Sequence, residues 1–299
     1  MLRPHRFSHE VDPGPVQIQA RKVAFDTSGV PLHWIPDHPV ASHMISVFNV
    51  ILPAAERWFV QTFSEALPLV KDERLAEDMR GFIGQEAVHA ETHDKVLKDF
   101  MVAQGVDPGP ILDRVDYIFE KVLAPTRSDD PKRRYNNLCD RLWLIAAIEH
   151  YTAVLGDFAL NCAWEDFGAD PTIVDLFRWH GSEEVEHRNV AHDVATYFQD
   201  SYLARIRAMT LAVGMIYTYF ERSVGYMCRA DPSLRLGWWE VRRMRARDSK
   251  LRLLPTYRYL FGTSTLGYFR PGYSPEDVGS TAQAVAYLAS SPAARAAHA

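Results

Sequence analysis

The sequence predicts an all-α fold, and three observations support that reading. From Pro53 onward apolar residues recur at three- and four-residue steps. No run of alternating apolar and polar residues reads as a strand. The breaks between periodic stretches fall at Pro, Gly and Asp, as helix ends do. With 299 residues, 47% hydrophobic and 24% charged, the chain can bury a large core and is neither disordered nor collagen-like.

In chain order, residues 1–43 are rich in Pro, His and Val, lack a sustained helical period, and read as an extended N-terminal arm. Helices are expected at about 45–69, 73–104, 132–166, 172–199 and 202–229. Gly105, Pro108, Gly109 and Pro110 close the second, and Pro125 and Pro131 lie in the long connection before the third. Gly168, Asp170 and Pro171 part the third from the fourth. A short helical pattern at 276–290 precedes an Ala-rich end expected to be mobile. The division is an arm (1–43), a helical bundle (44–229) and a C-terminal helical extension (230–299) packed on the bundle as one domain.

A net charge of −5 and a pI near 6.2 argue against nucleic acid as a partner. Cys139, Cys162 and Cys228 form neither a disulfide framework nor a CxxC knuckle, which suits a reducing, cytoplasmic location. The opening MLRPHRFSHEVDPGP has no apolar stretch after its charges, so it does not read as a signal peptide. The longest runs free of charge and histidine, 44–55 and 208–220, fall short of the roughly 20 residues a bilayer span needs. Arginines interleaved with Trp238, Trp239 and Leu251 in 229–258 are read as a solvated face whose apolar side packs on the bundle, rather than as a helix lying on anionic membrane.

Four segments carry chemistry. Glu86-x-x-His89 and Glu184-x-x-His187 each place Glu and His on one helix face about a turn apart, and Glu56 and Glu149 are mid-helix carboxylates on the other two helices. The order Glu, Glu-x-x-His, Glu, Glu-x-x-His is the ligand set of a di-metal carboxylate site in a four-helix bundle. The spacings suit two antiparallel helix pairs joined by one long crossover, as in ferritin-like bundles. Four carboxylates balance two divalent ions, and carboxylate with imidazole favours iron, with manganese or a mixed pair as the alternative. His180 and His93 extend the stripes by four residues, each as an additional ligand or as a partner that orients one. Glu183 and Glu186 flank the stripe as solvated or orienting groups, and Glu91, His150 and His192 fall off the ligand faces. The run His89-Ala-Glu-Thr-His93 is not a zincin helix, because Ala90 stands where that motif needs Glu.

These motifs, Phe82-Ile-Gly-Gln85-Glu86-Ala87-Val-His89 with His93 and Trp179-His180 through Asp193, resemble the bacterial "predicted metal-dependent hydrolase" family. Leu52-Pro53-Ala-Ala-Glu56-Arg57, Glu149-His150-Tyr151-Thr152 and the late Arg270-Pro271-Gly272-Tyr273 extend the likeness over about residues 20–290. Ser274 and His192 depart from that family's pattern, away from the ligand stripes. The stripe His180-x-x-x-Glu184-x-x-His187 is also similar to the last ligand helix of di-iron arylamine N-oxygenases. That likeness implies Glu56, Glu86, His89, Glu149, His180, Glu184 and His187 as ligands, with His93 extra.

Three functions follow in order of expectation. The first is a di-iron oxygenase or oxidase that activates O2 on a small, largely apolar or aromatic substrate, with a partner protein donating electrons. The second is a di-metal hydrolase of esters or phosphoesters, for which Arg57 and Arg188 are the nearby cations. The third is a non-enzymatic iron-binding protein. Helix 208–220, with Met209, Met215, Tyr217, Tyr219 and Phe220, reads as core packing or as a substrate-channel wall. A homodimer is expected from family likeness.

Overall fold

The computed structural model describes residues 16–297, so the opening stretch read for a leader and the first part of the arm lie outside the described residues. All regular structure among the described residues is helical. Residues 16–38 run extended along the bundle before α1 (Pro39–Ser46). Four long helices follow: α2 (Phe48–Ala66), α3 (Glu73–Val96), α5 (Pro131–Asn161) and α6 (Pro171–His187). The side chains of Asp72, Asp130 and Asp170 cap α3, α5 and α6, accepting from Leu75, Lys132 and Thr172 N–H groups, and Pro131 and Pro171 hold the first turn of the last two. The starts of these helices are therefore written in local chemistry.

Helix α2 packs chiefly on α3, and α5 on α6, each pair joined by a short connection. The single long crossover between the pairs, 97–130, contains α4 (Gly109–Tyr117), which the sequence reading passed over as connection. The second pair meets at bare backbone. A Cβ on Gly156 of α5 would lie 2.3 Å from the Gly181 carbonyl oxygen of α6, so only glycine permits this approach. The arm meets α3 in the same way, since a Cβ on Gly81 would lie 2.5 Å from the Ile18 carbonyl oxygen.

The helix expected over 172–199 is two helices. It stops after His187, where the Arg188 guanidinium bonds the Val185 carbonyl, and resumes as α7 (Val190–Phe198). Helix α8 (Tyr202–Ala230), capped by Ser201, lies along α5. Beyond it come α9 (Trp238–Lys250), α10 (Thr265–Tyr268) and α11 (Thr281–Ser290). The Ala-rich end corrects the expectation of mobility. It forms α12 (Pro292–Ala297), with Ala294 fully buried and Ala293 N–H bonded to Asp175. No helix among the described residues is long and apolar enough to cross a membrane.

Candidate metal centre

Periodicity along each helix delivers the site. Glu56 comes from α2, Glu86, His89 and His93 from α3, Glu149 from α5, and His180, Glu184 and His187 from α6. All eight side chains meet in one cluster between the two helix pairs, and none of the four carboxylates is more than 2% exposed. Their donor atoms fall into overlapping groups. One is Glu56, Glu86 and His89; another is Glu86, Glu149, Glu184 and His187; a third is His89, His180 and Glu184. A fourth is Glu56, His93 and His180, so Glu56, Glu86, His89, His180 and Glu184 each belong to two groups.

Buried carboxylates of this kind normally find donors. Here both oxygens of Glu56, both of Glu86 and Oε2 of Glu149 have no hydrogen-bond partner, nor does Nδ1 of His89. His187 Nε2 lies 3.1 Å from Glu149 Oε2, 3.3 Å from Glu86 Oε1 and 3.3 Å from Glu184 Oε2, and only the last is aligned as a hydrogen bond. Ligands about 2.0–2.2 Å from a common cation are spaced roughly 3.0–3.4 Å apart. The residues present therefore fit divalent ions.

The histidines are oriented from outside. Asn49 Nδ2 donates to the Ser46 carbonyl, which leaves its Oδ1 to accept from His93 Nδ1 at 2.8 Å. His93 Nε2 must then accept from His180 Nδ1 at 2.6 Å, so His180 Nε2 presents a bare lone pair toward Glu184 Oε1, 2.8 Å away. Gln85 repeats the logic. Its Nε2 donates to the Gln19 carbonyl and to Glu186, so its Oε1 accepts from His187 Nδ1 at 3.0 Å and the lone pair of Nε2 faces the carboxylates. Glu183, held by Arg21 and by Trp179 Nε1, accepts from His89 Nε2 at 2.9 Å, which turns the Nδ1 lone pair of His89 inward. Three imidazoles thus aim lone pairs into a nest of carboxylates, the arrangement that outer partners impose on metal-binding histidines.

A proton competes with a cation for the inward nitrogens of His89 and His187. Burial, then the charge of Glu86, raises Glu56 well above the usual carboxylate value, and burial with Glu184 lifts Glu149 to about 8. Burial alone would depress His89 and His187, but the carboxylates around them outweigh it and hold both well above the ordinary value. Burial and neighbouring imidazoles push His93 and His180 down, keeping them neutral. For Glu184 burial would raise the carboxyl, but the charge of His187 outweighs it and holds Glu184 well below the ordinary carboxylate value.

The remaining residues that the sequence singled out divide clearly. His93 has both nitrogens engaged, by Asn49 and by His180. His150 bonds Tyr273 and Ser264, and His192 packs on Trp143 and Tyr273. Arg57 pairs at the surface with Asp94, and Arg188 bonds Thr281 and the Pro275 carbonyl, so neither cation faces the cluster. Glu183 and Glu186 are not solvated but clamp Arg21. Asn49, Gln85 and Arg21 were missed, since neutral amides and an arm arginine carry no spacing signal. Outside the cluster, His33 and His43 both bond Asp231 Oδ2 at 2.7 Å, pinning the arm and α1 to the end of α8.

An all-helical bundle with buried His/Glu groups able to hold metal ions defines the class as a metal-dependent helical protein. The chain belongs to the family described as predicted metal-dependent hydrolase, whose model matches residues 19–279. No curated protein and no solved structure matches it significantly. Membership corrects the leading functional expectation. The family's description is that of a predicted metal-dependent hydrolase, which fits the hydrolase alternative and not the O2-activating oxidoreductase reading.

Proposed function

We propose that the chain is a two-metal hydrolase of carboxylic esters. Glu56, Glu86 and His89 would hold one cation, and Glu149, Glu184 and His187 the other. Glu86 and Glu184 would be shared between them, and His180 would join beside Glu184. The observation that carries the reading is the set of three imidazoles, each turned by an outer partner so that one nitrogen points inward among carboxylate oxygens that have no hydrogen-bond partner. The donor set suits iron or manganese before thiolate-preferring metals. Such a pair of cations supplies Lewis acidity toward a carbonyl oxygen and makes water more acidic near neutral pH.

The protein's own groups do the rest. His93, Gln85 and Glu183 fix the three imidazoles, and the apolar shell of Phe82 and Trp179 packed on His187 and His89 keeps bulk water from the carboxylates. Water adds to the acyl carbon, the ester C–O bond breaks, and the products are a carboxylic acid and an alcohol. Esters are favoured over phosphoesters because the neighbouring arginines are already spent on Asp94, Thr281, Glu183 and Glu186, leaving them unavailable to an anionic phosphoryl group. The test is metal content together with turnover of a panel of nitrophenyl esters and phosphoesters. Two ions per chain and chelator-sensitive ester turnover are expected. Loaded protein that turns over no ester rejects the reading.

A further inference from the structure

Three apolar cavities lie end to end beside the metal centre. The largest, about 90 Å³, sits between α2, α5 and α8 and is walled by residues such as Leu52, Phe119, Ile148, Met215 and Tyr219. A second, about 60 Å³, continues from it past Leu52, Thr152 and Leu155 to His180 and Gly181. A third, about 30 Å³, branches toward Met44, Ile216 and Phe261. Phe48 and Leu155 form walls of all three.

The lining is apolar for a reason. The hydroxyls of Tyr151 and Tyr219 are taken by Thr265 and by the Ile111 carbonyl, so both offer only ring faces. Thr152 turns its Oγ1 to the Glu149 carbonyl and to Glu149 Oε1, placing its methyl-bearing side at the junction of cavity and carboxylate cluster. No charged side chain lines the largest cavity. Cavities of this character exclude water and take hydrocarbon. Helix α8, read from sequence as core packing or channel wall, divides by residue, and Tyr217 is exposed. Met209 is fully buried, whereas Met215, Ile216, Tyr219 and Phe220 face the cavity.

We propose that these cavities form one binding channel for the aliphatic chain of the substrate, which is an ester of a medium- or long-chain fatty acid. The acyl carbonyl is delivered at the His180 end and the chain runs between α2, α5 and α8 toward α4. This rests on the ester-hydrolase reading, from which it specifies the substrate class.

Binding of the straight-chain acid products from acetate to tetradecanoate, followed by calorimetry on the metal-loaded full chain, tests it alongside turnover of the matching nitrophenyl esters. Affinity should strengthen by roughly two- to fourfold per methylene until the channel is full. Leu155→Phe, which intrudes on all three cavities, should lower the ratio of dodecanoyl to acetyl ester turnover at least tenfold. Leu155→Ala, which opens the channel, should move the preferred chain to greater length. Binding independent of chain length, or a length profile that neither variant shifts, overturns the assignment even if esters are hydrolysed. Length-dependent binding without turnover of any ester upholds the channel and rejects the hydrolase reading instead.

Discussion

Asn49 touches no candidate ligand directly, yet the hydrogen-bond chain through His93 makes it decide which nitrogen of His180 carries the proton. Replacing it with leucine removes the acceptor 2.8 Å from His93 Nδ1 in a fully buried setting. An N–H left without a partner there costs about 1–3 kcal/mol. His93 avoids that cost by moving its proton to Nε2, which then donates to His180 Nδ1 and drives the His180 proton onto Nε2, facing Glu184. The lone pair offered to a cation is lost. Outer partners of metal-binding histidines are worth about 10–100-fold in affinity, or about 1.4–2.8 kcal/mol. Asn49→Leu should therefore weaken metal binding by that factor while the metal-free protein, its hydrogen bonds healed by the tautomer change, melts near the wild-type temperature. Asn49→Asp keeps an acceptor in place and should retain most of the affinity. Chelator-competition titrations give the affinities, and nitrogen NMR of the imidazoles reads the tautomers. Wild-type affinity in Asn49→Leu, with His180 still unprotonated at Nε2, would refute the relay.

Three further outcomes are expected. Glu86→Ala or Glu184→Ala removes a carboxylate common to two donor groups, so each should abolish two-ion binding and leave a folded helical protein by circular dichroism; two ions per chain in either variant contradicts the ligand set. Glu149, raised from 4.5 to about 8 by burial and the charge of Glu184, keeps a proton that the unfolded chain releases. Its stabilising contribution is full below 4.5 and lost as pH rises through 8, so the metal-free protein should melt lower across that interval. Cation binding expels the proton and should tighten over the same interval; parallel melts with and without metal would show the two trends diverging, and parallel trends count against it. Gly156→Ala gains about 1 kcal/mol of helix propensity, but its methyl collides with the Gly181 carbonyl at 2.3 Å. Overpacking of about 1–3 kcal/mol or more should dominate. A raised denaturation midpoint would show that α5 and α6 separate freely.

Glu86/His89 and Glu184/His187 were legible because a helix turns every 3.6 residues, so a three-residue spacing in the chain is already a geometric statement. The starts of α5 and α6 were legible in Pro131 and in Asp170 with Pro171 for a similar reason, since caps and first-turn prolines act within three residues. What escaped depends on partners far along the chain. Gln85 matters because of His187, 102 residues away, and Asn49 because of His93, 44 residues away. The end of α6 at His187 carries no Pro or Gly; it follows from the Arg188 side chain and its bond to Pro275, which no local pattern encodes. Arg57 adjoins Glu56 and Arg188 adjoins His187 in sequence, and their side chains bond Asp94 and Thr281, away from the cluster. Reading chemistry from the cluster alone favoured redox use; carboxylates and imidazoles of this kind are equally suited to hydrolysis, and membership of a family described as predicted metal-dependent hydrolase favours that alternative.

The clamp of Arg21 on Glu183 closes a span of 162 residues. During synthesis, domains assemble from the N-terminus as the chain emerges, but here the arm must wait for α6 before its arginine finds a counter-charge. Until then His89 lacks the carboxylate that orients it, and Glu56 and Glu86 have no second helix pair opposite. The candidate centre is therefore completed late. A nascent or truncated chain ending short of residue 187 carries the Glu56, Glu86 and His89 group of the first helix pair but neither the second group nor the carboxylate that orients His89, so the complete donor set exists only once α6 has emerged.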